Sequence, residues 1–170
     1  MPPAKLRALA RPWARSHSTT WWAARTRSVH SIESVRAWYE LVVARKIPNA
    51  EIELVDGTDR LAYVGSLQRA QRNYDVIVVD GLVENNCRLD CVRQAMAALN
   101  TGGLIILDNS DRLPKSCLAL SEAGFTEMPF NGFAPLNSTP SRTSVFFRDT
   151  IGIEKLPHRW TVGGVQKSWE

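Results

Sequence analysis

Two short apolar runs in the middle of the chain carry the clearest pattern of hydrophobic and polar positions. Residues 74–79 read Tyr-Asp-Val-Ile-Val-Val and residues 104–107 read Leu-Ile-Ile-Leu, and each run ends abruptly in acidic or amide side chains. Such runs are typical of strands covered on both faces in a parallel sheet. Between them lies an apolar stripe at helical spacing, formed by Val92, Ala95, Met96 and Leu99. We expect Gly102 and Gly103 to end that helix, which predicts a right-handed β-α-β unit.

Strands and helices alternate on both sides of this unit. Apolar or alternating segments predict parallel strands near Ser28–Ile32, Ile52–Val55, Val76–Val79 and Leu104–Leu107. Helical stripes are predicted over Ser18–Arg25, Val35–Lys46, Leu61–Gln71, Leu89–Leu99 and Leu113–Ala123. Two last strands, near Phe125–Phe130 and Thr143–Arg148, have no helix between them, which predicts an antiparallel hairpin. The predicted fold class is therefore α/β, a doubly wound and mostly parallel sheet with an antiparallel C-terminal hairpin.

Length and charge divide the chain into three parts. Its 170 residues, 44% of them hydrophobic, are enough for one globular domain, which we place over residues 15–150. Residues 1–14 are expected to be a basic leader or a degenerate first strand, and residues 151–170 a tail. The net charge is +4, and six basic residues but no acidic residue precede Glu33. Such leaders are solvated segments, phosphate-binding arms or targeting peptides.

Several classes of protein are disfavoured by the composition. No apolar run approaches the ~20 residues that span a bilayer, and the leader lacks the apolar centre of a secretory signal, so we expect a cytoplasmic protein without a membrane partner. Three scattered cysteines do not form a disulfide framework. Cys87 and Cys91 are four residues apart, but no further Cys or His cluster completes a metal site, so packing is the expected role.

Polar side chains follow the two central strands directly. Open parallel sheets bind ligands beyond the carboxyl ends of their strands, and Asp80, Asp108 and Asn109 stand at those ends. Their oxygens are of the kind that Mg²⁺ and Ca²⁺ prefer. The alternative is that Asp80 and Asp108 cap the loops and helices that follow.

The order and spacing of these patterns resemble the class I S-adenosylmethionine-dependent methyltransferases. That family has a Rossmann-like sheet of seven strands whose last two strands are an antiparallel pair. The matching motifs are His17–Ala23, Val29–Glu33, Trp38-Tyr39, Val79–Gly81, Arg88–Cys91, Gly102-Gly103, Leu107–Arg112, Gly124-Phe125 and Thr143–Arg148. Together they cover roughly residues 17 to 149, and their order makes the resemblance specific.

The resemblance implies S-adenosylmethionine as cofactor. Glu33 would take the two ribose hydroxyls, because one carboxylate can accept both hydrogen bonds. Ser18, Thr19 and Asp80 would line the same cofactor site. Asp56, or Asp59 just after it, would lie near the adenine, although an Asp-Gly turn that needs no ligand is the favoured interpretation of Asp56.

The implied reaction is methyl transfer to a hydroxyl or amine of a small molecule. Asp80 and Asp108 are the candidate catalytic residues, with Asp80 or a metal-bound hydroxyl removing the proton. Asp80, Asp108 and Asn109 match the positions that hold Mg²⁺ in catechol-type O-methyltransferases. Arg88 and Arg112 could bind an anionic part of the substrate, or could simply pair with Asp90, Asp111 or Glu84.

The chain departs from the family at its first motif. The family's glycine-rich loop, of the type Gly-x-Gly, is replaced by Ala14, Arg15 and Ser16, and Leu6–Trp13 is basic and broken by proline. Three outcomes could fill the middle of the sheet. Leu6–Trp13 could still form a weak strand, which we favour; a second copy of the chain could lend a segment; or the neighbouring strands could close up.

The departure keeps two other functions open. One is a non-catalytic methyltransferase-like scaffold or subunit that has lost cofactor binding. The other is nucleic-acid binding through the basic leader, which we rank last because the sequence lacks the aromatic interleaving of single-strand binders. The predicted partner is a small-molecule acceptor, and a homo-oligomer remains open.

Overall fold

The computed structural model describes residues 6–9, 17–81, 87–133 and 140–148. The strands are β1 Leu6–Leu9, β2 Val29–Glu33, β3 Ala50–Leu54, β4 Tyr74–Val79, β5 Leu99–Leu107, β6 Thr126–Phe133 and β7 Pro140–Phe147. The helices are α1 His17–Ala23, α2 Arg36–Val43, α3 Arg60–Val64, α4 Ser66–Arg69, α5 Arg88–Ala98 and α6 Pro114–Glu122, with a 3₁₀ turn at Ser110–Arg112. Across the described part of the chain, no helix has the length and apolar character needed to cross a bilayer.

The strands form one seven-stranded sheet in the order β3-β2-β1-β4-β5-β7-β6. Strands β1 to β5 pair in parallel, and β7 runs antiparallel to both β5 and β6. The predicted doubly wound sheet with an antiparallel C-terminal hairpin is therefore confirmed. Because the chain winds outward in both directions from β1 and β4, the strand order reverses there, and such reversals form ligand crevices at the carboxyl ends of the strands.

Strand β1 occupies the centre of the sheet in spite of its unfavourable sequence. Leu6 pairs with Val29 of β2 on one side and with Val76 of β4 on the other. This is the favoured one of the three predicted outcomes. The ladders on both sides satisfy backbone groups that two open parallel edges would leave unpaired, so strand context overrides weak propensity. Residues 10–16, which include the predicted domain boundary, and residues 149–170, which include the predicted tail, lie outside the described residues.

The core lies between the sheet and the helices that pack on β4 and β5. Alternate residues of these two strands point into it, and the helices α5 and α6 cover them. The fully buried members are Ile77, Val79, Val92, Ala95, Ile105, Leu107 and Leu120. This layer places the ends of β4 and β5, which carry the candidate polar residues, on a rigid base.

Two details of the predicted elements are wrong. Helix α5 ends at Ala98, and Gly102 and Gly103 lie inside β5 instead of ending the helix. The pairing jumps from Tyr74↔Leu99 to a later register, so β5 carries a bulge there. Gly102 has a φ of 77°, which side-chain-bearing residues rarely adopt. The helix predicted over Leu61–Gln71 is split into α3 and α4 at Gly65, where glycine weakens helical continuity.

Gly103→Ala is expected to lower the free energy of unfolding by about 1–3 kcal/mol. A Cβ at this position would lie 2.8 Å from the side chain of Leu99 and 2.9 Å from the carbonyl oxygen of Asp75. Gly132→Ala is the matched control, because a Cβ at Gly132 in β6 meets nothing within 4 Å. Urea unfolding followed by circular dichroism measures both variants, and equal midpoints would contradict the predicted crowding at Gly103.

Candidate active site at the carboxyl edge of the sheet

Three acidic residues end or follow strands at one edge of the sheet. Glu33 is the last residue of β2, Asp80 follows β4 and Asp108 follows β5. Strand β1 separates β2 from β4, so the ends that carry Glu33 and Asp80 are two strand spacings, about 10 Å, apart. The edge therefore presents separate carboxylates on both sides of the point where the strand order reverses.

Glu33 is a buried carboxylate held by the backbone that follows β2. Its side chain is only 8% exposed. The oxygen Oε1 accepts hydrogen bonds from the amides of Ser34 at 2.8 Å and Val35 at 3.0 Å. These bonds hold the carboxylate at the predicted strand-end position, where it satisfies backbone amides of the turn that leads into α2.

Arg88 is a buried cation that ties the ends of β4 and β5 together. Its side chain is 2% exposed. Nε donates to the carbonyl of Gly81 at 2.5 Å, Nη1 donates to the carbonyl of Asp108 at 2.6 Å, and Nη2 donates to Oδ1 of Asp80 at 3.3 Å. The structure thus engages Arg88 within the protein, but with Asp80 and backbone carbonyls instead of the carboxylates that the sequence suggested. From this buried position Arg88 can orient the Asp80 carboxylate, whereas direct contact with a substrate is less favourable.

Arg112 stands at the same edge in a different environment. It ends the 3₁₀ turn after β5, its side chain is 61% exposed, and its Nε lies 3.7 Å from Oδ2 of Asp111. An exposed pair of this kind is weak, so the guanidinium can exchange Asp111 for an incoming anion at little cost.

Asp108 is held by β7 as well as by β4. Its Oδ1 accepts a hydrogen bond from the hydroxyl of Thr143 at 2.6 Å, and its amide donates to the carbonyl of Val79 at 3.1 Å. Asn109 follows in the left-handed region with a φ of 54°. Sequence reasoning missed Thr143, because its approach to Asp108 depends on the antiparallel register that pairs Leu107 with Ser144.

The residues at this edge do not fit a magnesium site. Within the described residues, no group of three or more His, Cys, Asp or Glu side chains could hold a metal ion. The Asp80 carboxylate faces the buried guanidinium of Arg88, whose positive charge opposes a second cation. Asp108 already accepts the hydroxyl of Thr143. The predicted magnesium site at Asp80, Asp108 and Asn109 is not supported, and no chemical step is assigned to a metal.

The remaining predicted cofactor residues lie at the other end of the same edge. Thr19 is buried in α1, and its hydroxyl is 3.1 Å from that of Ser31, so it anchors α1 on β2; Ser18 beside it is exposed. Asp56 accepts hydrogen bonds from the amide and the hydroxyl of Thr58, both at 2.8 Å, which lowers the pKa of its carboxyl. These contacts favour the Asp-Gly turn at Asp56.

A buried tyrosine supports the end of β4, and the sequence offered no signal for it. Tyr63 of α3 is fully buried in the core. A Cβ on Gly81 would lie 2.3 Å from its hydroxyl oxygen, so only glycine fits at that position. Burial raises the pKa of Tyr63 well above its ordinary value, which keeps the phenol neutral. The contact depends on α3 packing beneath a strand end that follows it in sequence.

Cys87 and Cys91 pack into the core beside this site, as the packing interpretation predicted. The hydrogen bond from Cys91, assisted by the nearby guanidinium groups of Arg60 and Arg88, lowers the pKa of Cys87 to about 7. The same contact, together with burial, raises the pKa of Cys91. The pair therefore accommodates one negative charge at most, next to the buried cation.

No family profile and no curated protein matches the chain. The fold is nevertheless that of the class I S-adenosylmethionine-dependent methyltransferases. Similar solved structures include an rRNA methylase from Streptococcus thermophilus (14% identity, 85% of this chain and 87% of that chain, TM-score 0.62). They also include the N-methyltransferase NodS from Bradyrhizobium japonicum (13% identity, 86% of this chain and 87% of that chain, TM-score 0.63). A Streptococcus mutans protein solved in complex with SAH is a further similar structure (11% identity, 86% of this chain and 91% of that chain, TM-score 0.61). At these identities the likeness shows the fold.

Proposed function

We propose that the protein is an S-adenosylmethionine-dependent methyltransferase. The observation that carries this proposal is the buried Glu33 carboxylate at the end of β2, beside the point where the strand order of a methyltransferase fold reverses. An elongated ligand with its sugar at Glu33 and its reactive end near Asp80 would cross the end of β1. Solved structures of the same fold are named as methylases of rRNA, as an N-methyltransferase and as a precorrin methyltransferase, and one was solved with SAH.

The proposed acceptor is a hydroxyl or amine of a small molecule bound near Asp80 and Asp108. Bound S-adenosylmethionine would supply an electrophilic methyl group. Asp80 is the proposed proton acceptor, since its carboxylate stands at the reversal point and is oriented by the buried Arg88. Asp108 would act beside it, held by Thr143. Arg112 is the proposed ligand of an anionic group on the acceptor.

The second candidate function is a scaffold or subunit with a methyltransferase fold and no cofactor. The replacement of the glycine-rich loop by Ala14, Arg15 and Ser16 supports it, because glycines there let a cofactor approach the backbone closely. These three residues lie outside the described part of the chain.

Titration calorimetry of the full chain with S-adenosylmethionine, and separately with SAH, tests the two candidates. Micromolar binding of either ligand supports the enzyme. An absence of binding heat at millimolar ligand, with the protein shown to be folded by circular dichroism, overturns the enzyme and favours the scaffold.

Replacing Arg15 and Ser16 together by glycine is expected to tighten S-adenosylmethionine binding about 10-fold, equal to ~1.4 kcal/mol. Because strand β1 is present, the predicted obstacle to cofactor binding is the side-chain bulk of Arg15 and Ser16. The control is Arg72→Gly with Asn73→Gly, which removes the same charge from an exposed turn after α4. Calorimetry that shows unchanged or weaker binding in the loop variant would reject bulk as the limiting factor.

A further inference from the structure

A basic surface lies at the amino edge of the sheet, away from the proposed active site. It consists of Trp21, Arg25, Arg27, Arg45 and Lys46, all of them exposed, and is called the α1–α2 basic surface below. The first three residues lie at the end of α1 or just after it, and the last two follow α2. Both segments lead into the starts of β2 and β3, which pair at Val29↔Ala50. The surface is therefore at the end of the strands opposite to Glu33 and Asp80.

Hydrogen bonds hold the two basic segments together. Nη1 of Arg45 donates to the hydroxyl of Thr20 at 2.9 Å, which joins the end of α2 to α1. The amide nitrogen of the Asn49 side chain donates to the carbonyls of Ala23 at 2.8 Å and Thr26 at 3.0 Å, which joins the start of β3 to the turn after α1. Cations separated by about twenty residues in sequence are thus presented on one continuous surface.

Three cations of this surface are not neutralised by carboxylates of the described part of the protein. No described carboxylate lies within ion-pair distance of Arg25, Arg27 or Lys46. Arginines on the α3–α5 side of the molecule, in contrast, pair with carboxylates: Arg60, Arg69, Arg72 and Arg93. A cluster of uncompensated cations attracts a polyanion and raises its local concentration.

An aromatic platform lies within the cluster. The indole of Trp21 is 48% exposed, and the guanidinium of Arg25 lies 4.0 Å from the centre of its ring. Nη1 of Arg25 also donates to the carbonyl of Trp21 at 3.0 Å, which keeps the two planar groups together. Nucleobases stack on tryptophan rings and on arginine planes, and such stacking tolerates any base. The helical spacing of four residues creates this platform, which was not evident from the sequence.

We infer that the α1–α2 basic surface binds a single-stranded nucleic acid, with the cations contacting phosphates and the Trp21–Arg25 stack receiving a base. A membrane surface is the less suitable partner. The exposed apolar residues of α2, Leu41 and Val43, are two positions apart and do not share a helix face, so no apolar stripe accompanies the charges. The inference does not depend on methyl transfer, because the surface is remote from the proposed active site.

Fluorescence anisotropy tests this inference with the full chain and no cofactor. The probes are labelled single-stranded RNA and DNA of one mixed sequence, roughly 12 nucleotides long, within the site sizes of such surfaces. Trp21→Ala is expected to weaken binding about 5- to 10-fold through lost stacking, against Phe133→Ala, an exposed aromatic of β6, as control. Arg27→Gln with Lys46→Gln is expected to reduce the slope of log affinity against log salt by about 1.4, since each lost phosphate contact contributes ~0.7.

The matched charge control is Arg93→Gln with Lys115→Gln, two exposed cations of α5 and α6. The affinity of this control for the oligonucleotides is expected to stay within about twofold of that of the unmodified chain, because charges beyond a Debye length are screened. Equal losses in both double variants would overturn the inference by assigning the binding to net charge alone. Binding to phosphatidylserine vesicles that depends on these residues, with none to either oligonucleotide, would overturn it in favour of a membrane. A preference between the RNA and DNA probes identifies which strand the surface recognises, and either supports it.

Discussion

Arg88→Met is expected to lower the free energy of unfolding by about 3–5 kcal/mol, the largest stability effect predicted for this chain. Methionine matches much of the buried volume of Arg88 but donates no hydrogen bond. The carbonyls of Gly81 and Asp108 would lose their guanidinium donors, and the Asp80 carboxylate would lose its buried cation. Each buried acceptor left without a partner costs about 1–3 kcal/mol, and Asp80, whose side chain is 29% exposed, adds less because water can reach it.

Urea unfolding monitored by circular dichroism measures this loss. Arg93→Met is the control, because Arg93 lies on the same helix with an exposed side chain, and a change within about 0.5 kcal/mol is expected. Arg88→Lys retains the charge without the planar fork and should fall between the two, so it also reports on the contact if Arg88→Met does not fold. Equal urea midpoints for Arg88→Met and Arg93→Met would contradict the proposed stabilisation by the Arg88 contacts between the ends of β4 and β5.

Glu33→Ala is expected to weaken S-adenosylmethionine binding about 5- to 150-fold, the scale of losing charge-assisted hydrogen bonds worth about 1–3 kcal/mol. The buried position of the carboxylate excludes competing water, which strengthens its bonds to a bound ligand. Glu33→Ala also removes the acceptor for the amides of Ser34 and Val35. A loss of stability of about 1 kcal/mol is therefore expected alongside the loss of affinity.

Calorimetry on two further variants separates these effects. Glu33→Gln keeps an acceptor oxygen for the backbone amides and removes the charge, so it should bind more weakly than the unmodified chain while unfolding at a similar midpoint. Glu40→Ala removes an exposed carboxylate from α2 and should leave the affinity unchanged. Equal affinities for Glu33→Ala and Glu40→Ala would exclude Glu33 from the cofactor site.

The sheet could be predicted from the sequence to within a few residues. The runs that became β4 and β5 are apolar because both faces of a central strand are covered, and this pattern needs no knowledge of neighbours. The predicted element boundaries are wrong where a glycine is compatible with more than one local structure. Gly102 looked like a helix end, but the actual register of β4 and β5 places it in a bulge.

Strand β1 shows the limit of local pattern. Leu6–Leu9 has weak strand propensity, but the strands on either side of it, β2 and β4, each offer backbone groups with which it forms a parallel ladder. The hydrogen bonds made available by those neighbours outweigh the local preference, so only the assembled sheet decides that this segment becomes a strand.

The sequence by itself determined the fold class and the edge of the sheet where polar residues collect, because both follow from which residues end apolar runs. The tertiary structure alone decided what those residues do there. Arg88 joins the ends of β4 and β5, and Asp108 accepts a hydrogen bond from Thr143. Trp21 and Arg25 stack on a surface whose two segments are joined by Arg45. Each of these depends on distances between elements that are remote in the chain, and hydrophobic pattern carries no information about such distances.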